Sequence, residues 1–137
     1  MTKNKSISFA ELTLLNERFI KVNVNPSSEI HPIHLAEIWN AYDDLVGKNS
    51  KFSLLTILPE DLYISPETKK MWANPQRSER KLTEAFVING LGLKLIANFV
   101  ARFHKPQHNV RYFNSEEKAL IWLGELGIEA KLNTQSL

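Results

Sequence analysis

Cysteine is absent from the 137 residues, which excludes a disulfide framework, thiolate metal sites and a cysteine nucleophile, and agrees with a reducing, cytoplasmic setting. Long apolar runs are missing too. No stretch approaches the roughly 18 residues of a membrane-spanning helix, and Met1 to Lys5 lead into no signal-type apolar segment, so no membrane insertion is expected. Glycine and proline are sparse, at five and six, and neither a repeat nor a low-complexity tract occurs. The net charge of +2 is too small to name a polyanionic partner. What is present is a 43% apolar chain of single-domain length, enough to bury a core without a covalent staple.

Charge is uneven along the chain. Residues 1–64 carry 6 Lys/Arg and 8 Asp/Glu, residues 65–112 carry 9 and 3, and residues 113–137 carry 2 and 4. Helices alternating with strands scatter such charge over a solvated surface, so the basic middle is read as surface rather than as an anion site.

Periodicity gives the elements. The first six residues read as a frayed end, and residues 128–137 as a weakly specified tail, leaving one domain over 7–127. Ile7 to Leu14 and Phe19 to Val24 read as an antiparallel hairpin around Leu15 to Arg18, with a bulge near Ala10 and Glu11. A helix is expected over Pro32 to Val46, where Leu35, Ile38, Trp39, Tyr42 and Leu45 form one stripe, with Gly47 as its stop. Asp43 and Asp44 stand at the end of that helix where the macrodipole disfavours them.

Phe52 to Leu58 is a nearly continuous apolar run, expected as a strand covered on both faces. Ser65, Pro66 and Glu67 combine an N-cap, a proline at the first helical position and an acidic first turn, so a second helix starts there and reaches about Asn74. Thr83 to Ile88 is a strand. Asn89 and Gly90 turn the chain into an apolar helix from Leu91 to about His104. Asn109 to Phe113 is the last strand, and Ser115 caps a final helix that ends at Gly127.

The order β-β-α-β-α-β-α-β-α implies right-handed crossovers and an α/β fold: a mixed, mostly parallel sheet with an antiparallel N-terminal hairpin and packed helices.

Residues 52–123 then resemble a known group. The run LTEAFVINGLGLKLIANFVARFHKP, followed by NVRYF and SEEKALIWL, is similar to the bacterial SpoIIAA-like, or STAS/Sec14-like, proteins. The matching features are Asn98-Phe99, Lys105-Pro106, Phe113, and Ser115-Glu116-Glu117-Lys118-Ala119 with Trp122-Leu123. The resemblance implies a STAS-like fold. It also implies kinship with anti-sigma-factor antagonists, which bind a partner kinase and are switched by phosphorylation of a serine in an Asp-Ser-Ser-Gly-like motif opening a helix. The equivalent place here is Ile64-Ser65-Pro66-Glu67, with no Asp before the serine and no Gly after it.

Catalytic and metal constellations are hard to find. His31/His34 straddle a helix start and His104/His108 flank Pro106, so neither pair has the two-on-one-face spacing of a zinc helix. No G-x-S-x-G elbow occurs, and Asp43/Asp44 point about 100° apart on their helix. Asn89-Gly90-Leu91-Gly92 has the strand–turn–helix setting of a phosphate loop. However, Leu95 stands where the third glycine would fall, and a tight turn explains the pair. The mixed basic and aromatic stretch from Arg102 to Phe113 reads as core and strand, not as a nucleic-acid surface.

Parallel strands gather their exits, so three loops, Asn25 to His31, Pro59 to Ser65 and Ile88 to Gly92, should share one rim, where ligands of open α/β sheets bind. Ser65, Asn89, Gly90 and Lys94 are its candidate residues for ligand binding or a phospho-switch. The expected function is a non-enzymatic regulatory module binding a protein partner or a second copy of itself. The alternative is a carrier of a small lipid-like or anionic ligand in a cavity lined by Ile96, Phe99 and Phe103. No cofactor is implied.

Overall fold

The computed structural model of the chain describes residues 3–72, 79–88, 90 and 109–129. In chain order the elements are β1 (Lys3–Ser6), β2 (Ala10–Asn16), β3 (Phe19–Val24), β4 (Glu29–Ile30), α1 (Pro32–Val46), β5 (Phe52–Leu58), β6 (Tyr63–Ile64), α2 (Pro66–Trp72), β7 (Lys81–Ile88), β8 (Asn109–Phe113) and α3 (Glu116–Glu125). Six strands form one sheet in the order β1-β2-β3-β5-β7-β8. The pairings β1–β2 and β2–β3 are antiparallel, while β3–β5, β5–β7 and β7–β8 are parallel. This is the mixed, mostly parallel α/β architecture that the element order implies.

β5 lies at the centre. Phe52, Leu54 and Leu55 are fully buried and even Ser53 and Thr56 are 2% exposed, because helices cover both faces of the strand. On one face α1 presses Ile38, Ala41, Tyr42 and Leu45 against Leu12, Ile20, Val22, Phe52 and Leu54. On the other, α3 sets Ala119 and Leu123 against Phe19, Leu55, Ala85 and Val87. The apolar stripe of α1 follows the expected spacing, and its bounds coincide with those read from the sequence.

The N-terminus departs from expectation. Lys3–Ser6 is not a frayed end but an edge strand, with Lys3 opposite Leu14 and Ser6 opposite Glu11. All four of its residues are exposed, so no apolar alternation marks it; backbone pairing holds it, and its lysines suit an edge. Lys5 also pairs with Asp44 at 2.9 Å. The phase change near Ala10 comes from a tight turn, in which the Ile7 N–H donates to the Ala10 carbonyl at 2.9 Å, and not from a bulge. The bulge of this region sits between Leu14 and Asn16. β7 starts two residues earlier than expected, at Lys81.

The acidic end of α1 is resolved by Arg80. Its guanidinium donates to Asp43 Oδ1 at 2.7 Å, to the Gly47 carbonyl at 2.9 Å and to the Ser50 carbonyl at 3.0 Å. It also lies over the rings of Trp39 and Phe52, at 5.6 and 5.4 Å. One planar cation thus offsets the misplaced carboxylate, satisfies orphan carbonyls at the helix end and seals the core edge.

Two stability outcomes follow from this packing. Arg80→Ala should lower the unfolding free energy by about 2–4 kcal/mol in urea titration, and Arg80→Lys should recover less than half, since an ammonium cannot reproduce the fork. Leu54→Ala, in the doubly covered strand, should cost roughly 2–5 kcal/mol.

Candidate functional site

The parallel strands deliver their C-terminal ends to one edge: Leu58 of β5 pairs with Ile88 of β7, and Val87 with Phe113 of β8. Ser65 follows β6 and Gly90 follows β7, and Gly90 stands beside Glu60 of the loop that leaves β5. Asn89 and Lys94 lie outside the described residues. So do the Leu91–His104 helix, the His104/His108 pair, the Ile96/Phe99/Phe103 cavity lining, the extension of α2 to Asn74, and the tail from 130 onward.

Ser65 is 9% exposed, and its hydroxyl is engaged. Oγ accepts the Thr68 N–H at 3.2 Å and lies 2.6 Å from Thr68 Oγ1, which makes it the N-cap of α2. Gly90 has φ +94°, and a Cβ there would stand 3.4 Å from Glu60 Cγ, so glycine lets the third loop lean on the second.

The rim is stitched by features the sequence did not advertise. β4 and β6, two residues each, pair in parallel as a small second sheet, with Glu29 opposite Tyr63 and Ile30 opposite Ile64. Alternation turns Ile30 and Ile64 into the core and leaves Tyr63 outward, 49% exposed. The Asp61 carboxylate accepts both the hydroxyl and the N–H of Ser27, whose φ of 60° bends the first loop toward the second. The Ser27 hydroxyl first, and its N–H second, hold the Asp61 carboxyl below the ordinary aspartate value.

α1 starts on the same rim, where the His31 N–H donates to His34 Nδ1 at 2.9 Å. The His31 ring packs 5.9 Å from Tyr63 and 6.0 Å from His34, and its Nε2 lies 3.2 Å from Glu29 Oε1. Ile33, in the first turn, is 78% exposed. Ile33 and Tyr63 were not singled out by sequence reading. An isoleucine directly after the N1 proline Pro32 was a cue, since the stripe of α1 begins only at Leu35.

A second polar group lies inside the fold. Because β7 carries an extra residue between Lys81 and Glu84, both side chains reach the α1 face, with Nζ 3.4 Å from Oε1 and both residues buried. Burial, and secondarily the Glu84 carboxylate, push the Tyr42 phenol well above its usual range and Tyr112 up to about 12. Both phenols stay protonated at neutral pH. Among the described residues no three His, Asp or Glu cluster as a metal site, and no helix is long and apolar enough to cross a membrane.

A family model described as a domain of unknown function (DUF7793) matches residues 15–126. The chain belongs to this family. No curated protein matches it. Among solved structures, the crystal structure of an uncharacterized protein of the DUF3478 family with a SpoIIAA-like fold, from Shewanella loihica PV-4, aligns with a TM-score of 0.54 and 10% identity. The alignment covers 90% of this chain and 92% of that one. This DUF7793 domain therefore has a SpoIIAA-like fold, and at that identity the likeness speaks of fold alone. Nothing among its described residues indicates catalysis.

Two measurements check the rim. Ser65→Ala should cost about 1 kcal/mol through loss of the cap. Asp61, whose folded value is lowered, stabilises fully above the ordinary aspartate range and loses that contribution as pH falls through the lowered value. The gap in urea midpoint between wild type and Asp61→Asn should hold from about pH 7 to about pH 5 and close below about pH 4. A gap unchanged at the acid end would mean that the Ser27 contact does not depend on the charge.

Proposed function

We propose that this domain is a non-enzymatic partner-binding module that docks a protein on the rim at the C-terminal ends of its parallel strands. The observation that carries the reading is the pair of large apolar side chains, Ile33 and Tyr63, displayed on backbone held by β4–β6 pairing and the Asp61–Ser27 contact. Exposing apolar area on a braced segment costs solvation and gains nothing in the fold, whereas a tyrosine on rigid backbone loses little entropy when covered. The engaged hydroxyl of Ser65 favours constitutive docking over a serine switch, because a phosphate there would have to displace the Thr68 contacts.

The test is site-specific crosslinking in the native host. Tyr63→p-benzoylphenylalanine should give a discrete protein adduct that Ile33→Ser abolishes. The same photoprobe at Lys48, beyond the opposite end of α1, should give none. Ile33→Ser and Tyr63→Ser should each leave stability within about 0.5 kcal/mol, as surface changes do. No adduct at Tyr63 in any growth state would remove the reading.

A further inference from the structure

We infer that the segment docking on this rim is cationic and amphipathic: a lysine- or arginine-bearing stretch that carries an apolar or aromatic anchor. The inference rests on the partner-binding reading and adds the chemistry of the partner.

Fixed charge on the two described loops of the rim has one sign. From Asn25 to Leu35 and from Pro59 to Glu67 the chain carries Glu29, Glu60, Asp61 and Glu67 and neither Lys nor Arg. Those two segments are the ones that β4–β6 pairing joins. Among the described residues no lysine or arginine forms an ion pair with these carboxylates. Asp61 is held by a serine hydroxyl and an amide, which solvate the charge without cancelling it, and the lowered protonation range keeps it ionised. Glu29, 69% exposed in its side chain, meets the His31 ring and, among the described residues, no lysine or arginine. The first lysine beyond α2's start is Lys69, in the last turn of that helix.

Elsewhere on the described surface three acids meet bases: Lys5 with Asp44, Lys21 with Glu116, Arg80 with Asp43. The other exposed large apolar side chains among the described residues are Leu82 on β7 and Leu120, Ile121 and Leu126 on or just past α3, where Lys118 stands among the acids and Glu116 is paired by Lys21. An apolar centre ringed by one sign of charge selects its complement: the opposite charge steers the encounter and the buried anchor holds it. Tyr63 adds a face that stacks on guanidinium or ammonium groups.

The probes are three fluorescein-labelled 16-residue synthetic peptides, read by anisotropy against the full chain: one of Lys and Leu, one of Glu and Leu, and one of Lys and Ser. The Lys/Leu peptide should bind at least about tenfold tighter than either other. Ile33→Ser with Tyr63→Ser should weaken it about tenfold and keep the salt dependence. Glu29→Gln with Glu60→Gln should weaken it and flatten the salt dependence. Circular dichroism melts of the variants establish that they fold, and a single Tyr63→Ser serves should the double variant fail.

Equal binding of the Lys/Leu and Glu/Leu peptides, or binding indifferent to both variant pairs, overturns the inference. A persistent Tyr63 adduct alongside that result leaves the partner reading standing. Selective binding of the Lys/Leu peptide with no adduct in the host overturns the partner reading instead. Self-association that Glu29→Gln with Glu60→Gln abolishes would give the rim to a second copy and would also overturn the cationic-segment inference.

Discussion

The parallel pairing of β3, β5 and β7 around a doubly buried β5 is the constraint from which the rest of the molecule follows. Parallel strands need crossovers, crossovers need helices on the faces, and the connections leaving the strands all emerge on one edge. Phe52, Leu54 and Leu55 pay for that arrangement by being wholly removed from water between α1 on one side and α3 on the other. The opposite end of the molecule must then close the helix α1 and the start of β7 together. Arg80 does so with three hydrogen bonds and two ring contacts.

A rim made by such exits would be a set of loose loops without further bonding. Here it is braced by two bonds of different kinds: the short β4–β6 ladder, which is backbone, and the Asp61–Ser27 contact, which is side chain to loop. Rigidity matters for what the rim can do. An exposed Ile33 or Tyr63 on a mobile loop would fold back or be averaged over conformers, whereas on braced backbone each is presented in one place at little entropic cost to a partner. The inward-facing Ile30 and Ile64 anchor the same two segments in the main core, so fold stability and site geometry share residues.

The interior polar pair shows the same economy. Lys81 and Glu84 are three apart, a spacing that in a regular strand sends side chains to opposite faces. One extra residue in β7 puts them on the same face, where they meet beneath α1 beside Tyr42. A buried cation and a buried anion are each costly alone, and their proximity offsets part of that cost. Nothing in the local sequence KLTE announces the bulge, so this contact could be found only with the two strands in register.

Elements with strong local signals were legible: the stripe of α1 from Leu35 to Leu45, the apolar run of β5, the cap at Ser115 whose hydroxyl accepts the Lys118 N–H at 3.2 Å, and the mixed α/β class that their order implies. Those features depend on residues within a few positions of one another, where side-chain periodicity and capping chemistry act. Lys3–Ser6, β4 and β6 were invisible for the converse reason. Each is short and carries no apolar alternation; backbone pairing alone defines Lys3–Ser6 against β2, and β4 and β6 find each other across a long stretch of chain. The sequence by itself determined the helices, the buried strand and the direction in which strands run. Only tertiary structure decided that Ile33 and Tyr63 come together beside Glu29 and Asp61, because the long-range β4–β6 register creates that neighbourhood.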